Sequence, residues 1–180
     1  MIETERLRLR DWTPADAEPF IRGLNTEPVM RWLGGVRTPE EQEAVVRDRF
    51  MAWQEQRGFT FWVLERKEDG ELLGFCGLKI ADDPTSPVAG EYEIGWRLRE
   101  DAWGKGYAKE AATASLDFAF GTLGAGRVVA LTVEGNSPSW GLMERLGMMR
   151  RRDLDYVGAP WAEGPVIVYL IEREQWQARS

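Results

Sequence analysis

Residues 91–110 read Glu-Tyr-Glu-Ile-Gly-Trp-Arg-Leu-Arg-Glu-Asp-Ala-Trp-Gly-Lys-Gly-Tyr-Ala-Lys-Glu. The stretch divides into a strand, a glycine-bearing turn and the start of a helix. Over 92–98 aromatic and branched residues alternate with others, the pattern of a strand with one buried face. Gly95 interrupts it, and a glycine inside a strand marks a bulge or a place where something approaches the backbone closely. After Trp103-Gly104-Lys105-Gly106-Tyr107-Ala108, the residues Ala108, Ala111, Ala112, Ser115, Leu116 and Ala119 recur at helical spacing. A strand therefore feeds a Gly-x-Gly-x-Ala loop that opens a helix with a small-residue face. Such a loop suits an anion, because first-turn N–H groups have no intrahelical partner, the helix dipole is positive there, and glycines admit an oxyanion to the backbone. Lys105 adds a side-chain cation. The plainer alternative is an ordinary turn before an Ala-rich helix packed close to a sheet. G-x-G-x-x-G is excluded because Lys109 stands at the third glycine, and G-x-x-x-x-G-K-[ST] does not occur.

The chain has 180 residues, 43% hydrophobic and 29% charged, which suits one globular domain over 1–180 with a sizeable core. It has no apolar run of membrane-spanning length and no basic-then-apolar leader in its first ten residues, so a cytoplasmic location and no membrane partner are expected. The single Cys76 lies in Leu-Leu-Gly-Phe-Cys-Gly-Leu, the composition of a buried strand, and reads as a packed, inert thiol. Histidine is absent. That removes Ser-His-Asp and Cys-His catalysis and the commonest metal ligand, and no metal site is expected. The net charge is −7, with acids gathered at Glu40, Glu41 and Glu43, at Asp82 and Asp83, and at Asp153 and Asp155. Nucleic acid is a poor partner for such a surface, and a cationic acceptor a better one, although the same acids also serve solubility.

Alternation over 2–10 predicts a first strand. Thr13-Pro14 supplies an N-cap and first helical residue for a helix to about residue 25, with Pro19 marking a kink or a short first turn. Thr38-Pro39-Glu40-Glu41 is a capping box for a helix whose inward stripe is Gln42, Val45, Val46, Arg49, Phe50 and Trp53, ended by Gly58. Strands follow at 59–65 and 72–80 around the turn Lys67-Glu68-Asp69-Gly70, then a loop at 81–90. A helix at 108–120 leads to a strand at 127–133 beside 92–98. Asn136-Ser137-Pro138-Ser139 opens a helix that Gly147 stops, with Leu142, Met143 and Leu146 inward. Strands at 148–156 and 166–172 close the chain. The order is that of an α/β (α+β) protein, a mixed central sheet of about seven strands flanked by helices.

The loop resembles the acetyl-CoA-binding motif of the GNAT superfamily of N-acetyltransferases, [QR]-x-x-G-x-[GA], with Trp103 where Gln or Arg is general. Glu-Ile-Gly-aromatic followed by Trp-Gly-Lys-Gly-Tyr-Ala is similar to the RimJ/RimL-like (ribosomal-protein N-acetyltransferase-like) group. So are Thr-Glu-Arg-Leu-Arg-Leu-Arg at 4–10 and Asn25-Thr26-Glu27-Pro28-Val29-Met30-Arg31-Trp32, the latter bordering the acceptor site in that group. The resemblance runs the length of the chain. It implies the GNAT fold with a splayed central strand pair, acetyl-CoA (coenzyme A) as cofactor, and direct acetyl transfer to a primary amine of a protein N-terminus or a small molecule, by a monomer or homodimer. By the same resemblance, Trp96 and Leu98 lie along the pantetheine arm, Leu98 pairing with it through its backbone. Trp103, Gly104, Lys105, Gly106, Tyr107 and Ala108 hold the pyrophosphate. Asn136 bonds the arm and the Ser139 hydroxyl points at the thiol, though both residue types also suit a helix start. Glu93 matches the family's base, with Glu91 and Glu134 as alternatives. Tyr107 and Tyr156 are the tyrosines that remain to supply the acid many GNAT enzymes take from Tyr. A base is needed because a lysine amine titrates at about 10.4 and an α-amine at about 7.7–8.0. The absence of His and of a well-placed acid Tyr also suits a catalytically inactive CoA-binding sensor or assembly module.

Overall fold

Residues 1–179 are described by a computed structural model, in which the sheet runs β1-β2-β3-β4-β5-β6-β8-β7. The strands are β1 (Ile2–Glu3), β2 (Leu7–Arg10), β3 (Phe61–Arg66), β4 (Leu72–Ile80), β5 (Tyr92–Leu98), β6 (Arg127–Val133), β7 (Met149–Arg150) and β8 (Val166–Glu172). The sheet is eight-stranded rather than seven, because the alternation over 2–10 folds back on itself. Thr4 Oγ1 accepts from Leu7 N at 3.0 Å, and the chain turns so that Ile2 pairs with Leu9. The strand expected over 148–156 also shortens. After Arg150 the chain enters a 3-10 turn at Arg152–Leu154, and only Tyr156 returns to bridge Val166.

Helix α1 (Ala17–Leu24) follows a 3-10 turn at Pro14–Asp16, and α2 (Glu27–Met30) is a single short helix. Helices α3 (Pro39–Val45) and α4 (Ala52–Arg57) are joined by a π-helical stretch, Val46–Met51. The capping box is real, since Thr38 Oγ1 accepts from Glu41 N and Glu41 Oε2 from Thr38 N. The π turns widen the helix and move the stripe on by part of a turn. Val46, Phe50 and Trp53 are buried, while Arg49 is exposed instead of facing inward. Helices α5 (Tyr107–Gly121) and α6 (Ser137–Arg145) cover the other face, and α7 (Arg173–Gln177), which no sequence signal announced, lays Trp176 on Phe120.

Two cores result. On the α5 and α6 side, Leu7, Trp62, Leu78, Ile94, Leu98, Val128 and Ala130 pack with Ala111, Ala112 and Leu116. On the α1–α4 side the core is largely aromatic: Trp12, Phe20, Phe50, Trp53, Phe61 and Phe75, with Phe61 and Phe75 stacked at 5.2 Å. Aromatic side chains contribute large buried areas, and well-oriented pairs add about 0.5–1.5 kcal/mol beyond that area.

The feature that positions the site is in the middle of the sheet. β5 pairs along its whole length with β4, antiparallel, from Ile80↔Tyr92 to Gly74↔Leu98. With β6 it pairs in parallel at Tyr92↔Val128 and Glu93↔Val129 only. β6 meanwhile stays paired with β8 to its end at Val133. From Ile94 onward β5 and β6 therefore part, leaving a wedge of unpaired backbone at the sheet centre. The separation needs no bulge, because Gly95 keeps regular register opposite Gly77. Gly95 serves the other role a strand glycine can have: a Cβ there would lie 2.8 Å from Phe61 Cζ, so its bare backbone is what admits the ring.

Candidate active site

Ladder geometry decides which backbone groups face the wedge. Ala81 N donates to Glu91 O (2.9 Å) and Arg99 N to Leu73 O (2.9 Å). Alternate residues of an antiparallel strand bond to the same neighbour, so the odd-numbered residues of β5 bond to β4. Ile94, Trp96 and Leu98 then turn their N–H and C=O groups toward the wedge. One of these groups is already used, since the Leu98 carbonyl accepts from Trp103 Nε1 at 2.8 Å. That bond folds the loop back onto the end of β5 and explains the tryptophan, whose ring is otherwise 47% exposed.

The loop itself is shaped for an anion. Gly104 (φ +70°) and Gly106 (φ +81°) take left-handed backbone that only glycine adopts freely, and Gly106 caps α5. The first helical bond is Glu110 N to Gly106 O, 3.1 Å. Among the described residues, no acceptor takes the N–H groups of Gly104, Lys105, Gly106, Tyr107, Ala108 or Lys109. A run of unpaired amides at the positive end of a 15-residue helix fits a diphosphate. Lys105 is exposed beside them.

Arg6 is a component of the loop that the sequence did not reveal. Its Nη1 donates to Lys105 O (2.9 Å), its Nε to Glu110 Oε2 (2.7 Å), and its guanidinium lies 4.5 Å over the Tyr107 ring. Glu110 also accepts from Arg6 N and from Thr4 Oγ1. The β1–β2 turn thus clamps the first turn of α5. Tyr107 is buried in the core beneath that clamp, where it packs instead of offering a hydroxyl to the wedge.

Across the wedge, the turn from β6 to α6 brings Asn136 and Ser139 together. Asn136 Nδ2 donates to Thr132 Oγ1 (3.1 Å), and Asn136 O accepts from Ser139 N (3.1 Å). No described residue bonds the Ser139 hydroxyl. Trp32, from the 25–32 stretch, packs against Gly135, where a Cβ would come within 2.6 Å of its ring. Asn25 holds the same stretch by bonding Arg37 N (3.0 Å), Arg37 O (2.6 Å) and Gln42 Nε2 (2.9 Å).

Three cross-strand pairs line up on the α1–α4 face: Lys79↔Glu93, Gly77↔Gly95 and Phe75↔Arg97. Glu93 has a side chain only 13% exposed and sits 3.3 Å from Lys79 Nζ, which also bonds Asp82 at 2.7 Å. Burial pushes the Glu93 carboxyl above the usual carboxylate range, against the pull of Lys79. Tyr156 lies in the same electrostatic neighbourhood. Its hydroxyl is buried with no aligned partner, and burial, together with the charges of Asp83 and Glu93, raises it. The alternative acids are engaged elsewhere, Glu91 with Arg127 and Glu134 with Arg150. Cys76 faces Ser115 at 3.7 Å, and burial pushes its thiol up to about 12, so it is no nucleophile at neutral pH.

Two surface hollows lie outside the wedge. One, about 480 Å³, follows the outer flank of α5 from Glu3 and Thr4 past Gly106 to Asp117. The other, about 500 Å³, is bordered by Gly34, Val36, Arg37, Glu41 and Ala44. Among the described residues there is no group of Cys, Asp and Glu that could hold a metal ion, and no helix long and apolar enough to cross a membrane.

Residues 6–149 match the Acetyltransferase (GNAT) domain family. A relative in Aspergillus fumigatus, FsC-acetyl coenzyme A-N(2)-transacetylase, is 31% identical over 166 residues, covering 87% of this chain and 70% of that protein. YdaF of Bacillus subtilis, provisionally named a ribosomal N-acetyltransferase, is 25% identical over 185 residues, covering 98% and 96%. The crystal structure of an acetyltransferase from Agrobacterium tumefaciens superposes with a TM-score of 0.78 at 29% identity, over 95% of this chain and 93% of that one. The chain belongs to the GNAT family of N-acetyltransferases, in keeping with the RimJ/RimL-like resemblance of its loop.

Proposed function

We propose that the protein transfers acetyl from acetyl-CoA to a primary amine, holding the cofactor along the β5–β6 wedge. The observation that carries this reading is the unpaired amide run from Gly104 to Lys109, continuous with the wedge through the Trp103–Leu98 bond. The name of the Aspergillus relative, an acetyl coenzyme A-dependent N-transacetylase, supports it. The residues present fit the cofactor: amides for its diphosphate, Lys105 as an added cation, and the wedge-facing backbone of Trp96 and Leu98 for its amide-bearing arm. When bound, acetyl-CoA supplies an acetyl group already activated as a thioester.

The chain supplies position and proton transfer. Trp96, Leu98 and Asn136 align the arm, so that reaction becomes effectively unimolecular once the amine is seated. Glu93, with its raised affinity for a proton and its place on the acceptor face, takes the proton from the ammonium, directly or through water. Lys79 favours the ionised carboxylate that this role needs. The Ser139 hydroxyl, unclaimed within the described residues, delivers a proton at the start of α6. Tyr156, whose buried hydroxyl has no partner, is the alternative donor.

Mixing the protein with acetyl-CoA and a panel of amines, amino acids, peptides and ribosomal proteins, while following free thiol, tests the proposal. Thiol release that depends on one acceptor class is expected. Calorimetric CoA binding with no release across the panel would mark an idle binding module.

A further inference from the structure

Lys79 is a lysine that the central sheet keeps largely out of water. It stands directly opposite Glu93 across the β4–β5 pair, and both side chains are only 13% exposed. Glu93 is also the last residue of β5 to pair with β6, through Val129, so the two residues stand at the apex of the wedge. The Lys79 ammonium is shared unequally between two acids. Its Nζ donates to Asp82 Oδ1 at 2.7 Å, three positions on, where the chain has just left β4. Glu93 Oε2 is farther away, an ion-pair contact at 3.3 Å. The other Glu93 oxygen, Oε1, meets no donor among the described residues.

The groups around this pair alternate in sign. Arg49, from the π-helical stretch, reaches Asp82 Oδ2 at 3.8 Å, and its guanidinium lies 5.1 Å over the Trp53 ring. Lys79 Nζ lies 5.8 Å from the same ring. Arg49, Asp82, Lys79 and Glu93 therefore form a chain of charges that runs from the surface to the wedge. Tyr156, which packs on the cluster containing Val88 and Val129 and interacts with Asp83, faces Glu93 from the β6–β8 side. Burial raises the Glu93 carboxyl, Lys79 and Arg49 pull it down, and Asp82 adds to the rise.

We infer that Asp82 and Lys79 form a positioning pair behind Glu93: Asp82 fixes the ammonium so that it steadies the Glu93 carboxylate from one side and leaves Oε1 free to take the proton of the acceptor amine. The inference rests on the amine-acetyltransferase reading and adds two residues to it, neither of which touches cofactor or acceptor. A buried carboxylate with no countercharge gives up its ionisation, while one locked in a close ion pair gives up its affinity for a proton. A cation held chiefly by a second acid avoids both extremes. In the step itself an N–H bond of the acceptor ammonium breaks, an O–H bond forms at Glu93, and the nitrogen keeps the electron pair that attacks the thioester. Lys79 exchanges no proton. Its charge is not stranded when Glu93 becomes neutral, because the Asp82 bond remains.

The test is the pH dependence of kcat/KM for one amine acceptor in wild type, Lys79→Met, Lys79→Arg and Asp82→Asn, so that the ionisation of the acceptor is common to all four. Removing the cation in Lys79→Met should move the acid limb up by about 1–3 pH units. Lys79→Arg keeps the charge and should return the limb towards wild type. Asp82→Asn leaves the ammonium to Glu93 alone, and the limb should move down. CoA affinity should be unchanged in all three. Residues that merely brace the sheet would lower Tm and kcat without these opposed movements. The Asp82 side chain is 46% exposed, so Asp82→Asn keeps the test open if Lys79→Met does not fold. Acid limbs that coincide with wild type, or that move the same way in Lys79→Met and Asp82→Asn, overturn the inference. An NMR titration of the Glu93 side-chain carboxyl, its signal identified by its loss in Glu93→Gln, reads the same movements without turnover. Failure of the transferase reading and failure of the positioning pair are therefore distinguishable.

Discussion

Gly106→Val separates the backbone of the loop from its charge. Two effects are expected. At φ +81° a residue with a Cβ is strained, at a cost of roughly 1–2 kcal/mol. For a domain of this size that lowers Tm by about 2–8 °C. The new side chain also rises beside the amides that would meet the diphosphate, where a Cβ already comes within 3.3 Å of Arg6 Nη2. Bonds from N–H to a charged oxygen are worth about 1.5–3 kcal/mol each. Losing two of them weakens CoA binding by about 10²–10⁴-fold. Gly58→Val is the control, since Gly58 has φ +73° and no atom within 4 Å of its would-be Cβ, at the C-cap of α4 on the other layer of the fold. It should show the same fall in Tm and unaltered CoA affinity. Lys105→Ala should weaken binding only about 2–5-fold, and less as salt is raised, because an exposed cation is screened. Calorimetric titration with CoA and a melting curve for each variant suffice. Wild-type affinity in Gly106→Val would rule out the loop amides as the diphosphate site, whatever happened to its Tm.

Other consequences follow from the same geometry. Glu93→Gln should lower kcat by about 10²–10⁴-fold with CoA affinity retained, as steady-state kinetics would show. Because the folded protein holds the Glu93 proton more tightly than the unfolded chain, its contribution to stability is present at acid pH and lost as pH rises from the ordinary Glu range through the raised folded value. Melting curves taken from the ordinary Glu range upward should show that loss in wild type and not in Glu93→Gln, while wild-type activity climbs over the same rise. Asp16 is buried and accepts from Arg10 Nη1 (2.9 Å), Arg10 Nη2 (2.8 Å) and Thr13 N (2.8 Å). Burial raises its carboxyl, but the Arg10 and Thr13 bonds outweigh it, so its stabilisation is present above the ordinary Asp range and lost as pH falls below it. Asp16→Ala should cost about 1–3 kcal/mol, read by chemical denaturation, because it removes the bonds from Arg10 and Thr13 while Arg10 keeps Glu65 at 2.6 Å. Gly95→Ala should cost about 1–3 kcal/mol through the Phe61 clash, and Phe61→Leu in the same chain should recover part of it; additive losses would show that the ring is not the cause.

The central strands were readable because local pattern and tertiary role agree. The 92–98 alternation, the 72–80 run and the 127–133 and 166–172 strands emerge at the expected positions. The Gly104–Gly106 loop was legible through spacing alone. What escaped the sequence is long-range. Gly95 reads equally well as a bulge or as a close approach, and only Phe61, 34 residues earlier and arriving by strand pairing, decides between them. The pairing of Lys79 with Glu93 depends on the β4–β5 register. Arg6 joins the loop because β1 and β2 form a hairpin that a single 2–10 strand would not allow. Arg49 turned outward because π turns leave no mark on a helical periodicity. For Asn136 and Ser139 the sequence offered both capping and a site. In the fold Asn136 spends its amide on Thr132, while the Ser139 hydroxyl stays available.

Acetyl transfer to an amine, with the cofactor seated on the Gly104–Lys109 amides, is best probed by mass spectrometry of a primary-amine acceptor incubated with acetyl-CoA and the protein, free thiol being quantified in the same tube. Gain of a single acetyl group on the amine, matched mole for mole by released thiol and abolished in Gly106→Val, is the expected result. A protein that binds CoA tightly yet leaves every amine unmodified, or one whose transfer is indifferent to Gly106→Val, would contradict it.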